Sequence, residues 1–171
     1  MRYHKDRESG FTLLDVMVSA VLTVIIIAAA YNFYTTAKLT WAYSFAQGNM
    51  HREAALAIEK MIHGIDASHK GVAAARDIWL PAPGGAGALI QFEDSGTGGM
   101  TRQFYLQGDR LVYLDENNNT QDIIDGDVTV LSFARPAGRD NLVNIVLTMQ
   151  RNVLGKAVSA RMATSIELRN F

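Results

Sequence analysis

The chain has no cysteine among its 171 residues. That excludes a disulfide, a thiolate nucleophile and a Cys-type zinc site, and it is compatible with an oxidising compartment without requiring one. Histidine occurs four times, at positions 4, 51, 63 and 69, with no H-E-x-x-H or similar metal spacing. Neither sign of charge dominates: 16 Lys and Arg stand against 17 Asp and Glu, a formal net charge of −1. Without a basic excess, nucleic-acid binding is not the expected main task. Arg135, Arg139, Arg151 and Arg161 are too scattered in sequence to form a DNA-binding stripe. Gly84-Gly85-Ala86-Gly87 lacks the Gly-Lys-Ser/Thr ending of a phosphate loop, and no G-x-S-x-G elbow occurs. Ser68-His69 is adjacent but carries no triad spacing. Glu53 with Glu59, and Asp125 with Asp127, read as solvated surface. All three prolines, Pro81, Pro83 and Pro136, come late, so no proline kinks a helix before them.

The most informative absence is local. From Val16 to Ala37 there is no charged residue. That run of about 22 residues spans roughly 33 Å as a helix, enough to cross a hydrocarbon core of about 30 Å. It is apolar on all faces, as a membrane or filament-core helix is. Ser19, Ala20 and Ala28 to Ala30 offer small surfaces for close helix approach, and serve equally as plain helix filler. Tyr31, Tyr34, Trp41 and Tyr43 cluster at its far end, where amphipathic rings meet the membrane interface. The first ten residues are short, polar and mildly basic: Arg2, Lys5 and Arg7 against Asp6 and Glu8. Such an end is retained in the cytoplasm. An ordinary secretory signal is cut after its apolar region. Here the small-residue junction Gly10-Phe11 lies before it.

Gly10-Phe11-Thr12-Leu13-Leu14-Asp15, followed by an apolar helix, resembles the processing signal of type IV pilins and type II secretion pseudopilins. The resemblance implies that a prepilin peptidase cuts after Gly10 and methylates the new N-terminus at Phe11. It implies a carboxylate at Asp15, where the family usually has Glu, pairing with the Phe11 amine of a neighbouring subunit and fixing axial register. An alternative needs no neighbour: Thr12-x-x-Asp15 fits a capping pattern, and an acidic residue in the first turn suits the helix dipole. Asn32 stands where many major pilins carry a helix-breaking proline. The tail Ala163 to Asn170, A-T-S-I-E-L-R-N, is similar to the last strand of minor pilins of the PilW group and the J-type pseudopilin.

After Lys38 the pattern turns amphipathic. Met50, Ala54, Ile58, Met61, Ile62 and Ile65 fall at steps of three and four, predicting a core-facing stripe. Gly48 and Gly64 weaken the helix locally, and His69-Lys70-Gly71 suits its C-terminus. One helix from about Phe11 to about His69 is expected. From Asp77 the period becomes two, with strands predicted over 88–93, 101–106, 110–115, 127–134, 141–150 and 156–169. Leu106 to Arg110 and Asp125-Gly126-Asp127 read as hairpin turns, and 81–87 and 94–99 as flexible loops. The expected fold is α+β, a long helix backed onto an antiparallel sheet: leader 1–10, apolar helix 11–37, amphipathic continuation 38–71 and a β-rich domain 72–171.

The richest oxygen-ligand stretch is Asp115 to Asp122. Asp115, Asn117 and Asn119 match the start of a calcium loop, but Thr120 stands where Gly is needed and Gly126 where Glu belongs. It reads as a polar hairpin loop, with calcium as the alternative; no cofactor is otherwise expected. The resemblance implies a minor pilin or pseudopilin without catalytic activity. It would sit in the inner membrane, leader in the cytoplasm and domain in the periplasm, and then pass into a pilus or pseudopilus. Its implied partners are prepilin peptidase and other pilins. A membrane-tethered periplasmic enzyme, or a DNA- or substrate-receptor module on the same scaffold, are the rival classes.

Overall fold

A computed structural model describes residues 12–66, 69–94 and 101–168. One helix, α1, runs Leu13–His63; a single 3-10 turn follows at Val72–Ala74. Among the described residues nine strands complete the order: β1 Ala75–Leu80, β2 Ala86–Gly87, β3 Leu89–Asp94, β4 Thr101–Gln107, β5 Arg110–Leu114, β6 Thr120–Ile124, β7 Val128–Ala134, β8 Leu142–Val153 and β9 Lys156–Glu167. The chain divides into two compact units, Met1–Ala42 and Tyr43–Phe171. The expected α+β class holds, and the strands divide between two sheets. A five-stranded sheet has the order β1-β3-β4-β5-β6 and a four-stranded one the order β2-β7-β8-β9, each antiparallel throughout.

In the second unit α1 buries Ala46, Met50, Ala54, Ala57, Ile58 and Met61. This is the predicted stripe, with Ile62 and Ile65 at its half-buried margin. The sheets supply the facing layer. Phe92 stacks on Phe104 at 5.9 Å between ring centres, and Phe104 tilts onto Tyr113 at 4.9 Å. From the other sheet come Phe133, Val143, Ile145, Leu147 and Met149, all fully buried. Each such side chain contributes about 1.5–3 kcal/mol of transfer free energy. β9 shows the clean alternation read from its sequence, with Val158, Ala160 and Ile166 inward and Ser159, Arg161 and Ser165 outward.

The helix ends at His63, not near His69. Gly64 takes φ +105, a left-handed conformation that only glycine adopts freely, and its N–H still bonds the Lys60 carbonyl at 2.9 Å. The chain then doubles back: Ile65 N–H donates to the His69 carbonyl at 2.9 Å, and Gly64 bridges Lys70. A Cβ on Gly71 would collide with the Ile62 carbonyl. The Gly108-Asp109 turn joins β4 to β5 as expected, with Gly108 at φ +66. Asp125-Gly126-Asp127 is not a hairpin turn; it carries the chain from β6 in one sheet to β7 in the other. The 81–87 stretch is not all loop, because Ala86–Gly87 pairs with β7. Positions 95–99 of the other expected loop lie outside the described residues.

Candidate functional site

The first half of α1 is a hydrophobic surface with no cover. Every described residue from Thr12 to Tyr34 is exposed, including Val16, Val18, Leu22, Ile25, Ile26, Ile27 and Phe33. Helix formation satisfies the backbone amides and carbonyls internally, which is the condition for lying in hydrocarbon. The hydroxyls follow the same rule. Thr23 donates to the Ser19 carbonyl at 2.7 Å, and Thr35 to the carbonyls of Tyr31 and Asn32 at 3.1 and 3.0 Å. The helix is long and apolar enough to span a membrane.

Thr12 and Asp15 form a reciprocal cap at its start. The Asp15 carboxylate accepts from Thr12 N–H at 3.0 Å and from the Thr12 hydroxyl at 2.7 Å. In return Asp15 N–H donates to Thr12 Oγ1 at 3.3 Å. Two donors otherwise left open by the helix start are thereby engaged. The capping pattern read from the sequence is present, and Asp15 stands at the boundary where the uncharged run begins. Gly10 and Phe11, the expected cleavage and methylation positions, lie outside the described residues.

The oxygen-rich stretch folds as a tight loop between β5 and β6. Asp115 Oδ1 accepts from the backbone amides of Asn117 and Asn119 at 2.9 and 2.7 Å, and Oδ2 from the Asn119 side chain at 2.9 Å. Asn118 takes φ +61 at the apex. The Asn119 side-chain bond, with the two backbone amides, holds the Asp115 carboxyl below its ordinary value against an opposing effect of burial. Its oxygens serve the loop's own N–H groups. Among the described residues no three His, Asp or Glu side chains converge as a metal site.

Four polar groupings were not legible in sequence. His69 Nδ1 lies 2.8 Å from the Asp66 carboxylate, and its ring meets Tyr113 edge-on at 5.8 Å. Burial, first among several causes, pushes the Tyr113 phenol up to about 12, so it stays protonated at neutral pH. Nearby, buried Arg102 pairs with Glu116 at 3.2 Å. Elsewhere Arg151 contacts Asp127 at 2.6 Å and Glu53 at 3.5 Å. Glu53 and Asp127 therefore hold a cation and are not simply solvated. Arg135 is buried, donating to the carbonyls of Ile78, Pro81 and Asp140 at 2.8, 3.4 and 2.8 Å. With Arg135 inside and Arg151 ion-paired, the four scattered arginines form no stripe. Each of these groupings braces the fold.

No protein-family model, curated protein or solved structure matches the chain.

Proposed function

We propose that the chain is a minor pilin or pseudopilin, a subunit that helps start or cap a type IV pilus or a type II secretion pseudopilus. The observation that carries the proposal is the uncovered apolar half of α1 behind the Gly10-Phe11 junction. A surface that apolar needs lipid or other helices around it. A subunit passing from bilayer to filament meets each in turn. Cleavage after Gly10 by prepilin peptidase leaves the helix on the mature chain and exposes a cationic amine at Phe11. In the isolated subunit Asp15 caps its own helix. In a filament it exchanges that contact for the amine of a neighbour, in surroundings of low dielectric where an unpaired carboxylate is costly. Function is mechanical, and the chain performs no chemistry.

Mass spectrometry of the membrane-extracted protein tests this. The expected species begins at Phe11 and carries one added methyl group. An intact Met1 end, in cells with active prepilin peptidase, overturns the proposal. Asp15→Ala is expected to be processed normally yet to be lost from sheared filaments. Normal assembly of that variant would leave Asp15 only its capping role.

A further inference from the structure

We propose that Asn118, at the apex of the β5–β6 loop, is an acceptor for N-linked glycosylation, taking its sugar from a lipid-pyrophosphate donor. This rests on reading the domain as exported, with the leader left in the cytoplasm.

Sequence marks the position first. Asn118-Asn119-Thr120 has the form N-x-T with no proline at x, the acceptor pattern of secreted chains. No other asparagine in the chain has a serine or threonine two residues on. A pattern of this length is common by chance. What separates an acceptor is where the folded chain puts the carboxamide.

The fold gives the three adjacent asparagines different tasks. Asn119 is committed: its N–H and its side-chain amide both donate to the Asp115 carboxylate, at 2.7 and 2.9 Å. Asn117 gives its N–H to the same carboxylate at 2.9 Å, and has Asn119 where the hydroxyl is needed. Asn118 donates its N–H to the Asp115 carbonyl at 3.2 Å and stands exposed with φ +61. Among the described residues its carboxamide makes no hydrogen bond. Glycine would meet that left-handed φ at less cost, so the turn alone does not call for a carboxamide. Thr120 is exposed too, and opens β6, an outer strand of its sheet with one side open to a visiting chain. The base of the loop is braced. Asp115 N–H closes onto the Asn119 carbonyl at 3.0 Å, and Glu116 pairs with buried Arg102 at 3.2 Å.

The chemistry asks for this presentation. An amide nitrogen is a weak nucleophile, because its lone pair is delocalised into the carbonyl. A transferase has to twist or polarise that group, and a carboxamide with no bond to give up is the easiest to engage. The new bond joins the Asn118 carboxamide nitrogen to the anomeric carbon of the sugar. The bond from that carbon to the donor's phosphate oxygen breaks, and the lipid pyrophosphate leaves with the electron pair. One amide proton passes to a base of the transferase.

The test uses the full chain, extracted from membranes of the cells that make it. The tryptic peptide 111–139 is sequenced by electron-transfer fragmentation, which leaves sugars on their residues. Hexose or N-acetylhexosamine mass is expected on Asn118. It is expected to vanish in Asn118→Gln and in Thr120→Val, and to persist in Thr120→Ser and Asn117→Gln. Thr120→Val keeps a β-branched residue in the strand, so loss of sugar there is not a loss of folding. Protease added to intact spheroplasts reports the side on which the domain lies. If the domain is cut from outside and the peptide is bare, export stands and the acceptor assignment is overturned. If the domain is protected, export itself falls and the assignment falls with it. Sugar found on Thr120, or retained in Thr120→Val, also overturns it.

Discussion

Arg135 carries more of the domain than its sequence position suggests. Its planar fork reaches three carbonyls, on β1, on Pro81 and on Asp140, and so ties the five-stranded sheet to the loop after β7. Lysine keeps the charge but cannot span that geometry. Arg135→Lys is expected to destabilise the domain by about 2 kcal/mol, the range for bonds to a charged group, measured by urea unfolding. Asp115 works in the other direction, as an acceptor for its loop. Its carboxyl is held below the ordinary 3.8, so the stability it contributes is present above that value and is lost as pH falls through the lowered one. The melting temperature of Asp115→Asn is expected to lie below that of the parent at pH 7, the gap closing in acid. The calcium-like spacing of Asp115, Asn117 and Asn119 was visible in sequence. That all three serve one turn was not, because the same residue types build both structures.

At the scale of elements, the regular pieces were legible and the irregular ones were not. β9 has strict alternation and one face buried, so its pattern and structure agree. β1 pairs with β3 through two register shifts, and its burial recurs every third residue instead of every second. β6 is a polar edge strand and β2 has two residues, so neither carries a periodic signal. The helix end was misplaced because His69-Lys70-Gly71 looks like a terminus. The decisive residue is Gly64, whose left-handed φ no local pattern announces. The return after it needs bare glycine at position 71, where a Cβ would strike backbone. Gly71→Ala is expected to cost about 2 kcal/mol, the range for overpacking against an unyielding wall, and to lower the thermal midpoint. Leu154, in the turn between β8 and β9, takes φ +50, and Leu154→Asn should do the opposite. Relieving a left-handed leucine is expected to stabilise the domain by about 1 kcal/mol, read by thermal unfolding.

For the whole molecule, the division at Ala42 and Tyr43 has a practical corollary. Among the described residues the buried side chains all lie from Ala46 onward. A chain beginning at Lys38 is therefore expected to keep its two-sheet core and to remain soluble without detergent, whereas the full chain requires it. Circular dichroism and gel filtration of the two forms check this. An unfolded short form would show that the apolar half of α1 supports the core. The membrane-type run and the α+β class were legible because each is a long, repetitive pattern. The split into two sheets was not. It depends on Asp125 to Asp127 turning the chain between layers, and a Gly-Asp turn reads identically whether it joins neighbours or crosses over.

β9 also closes one side of its sheet. Its twelve residues pair with β8 without a register shift, and no proline interrupts them. A strand so regular at a sheet margin is a template for adhesion between like molecules. Lys156, Arg161 and Glu167 are the exposed charges spaced along it. Their protection is colloidal and so depends on ionic strength, since charges are screened over about 10 Å at 0.1 M salt and about 3 Å at 1 M. The isolated domain should therefore disperse well in dilute buffer and self-associate as salt is raised.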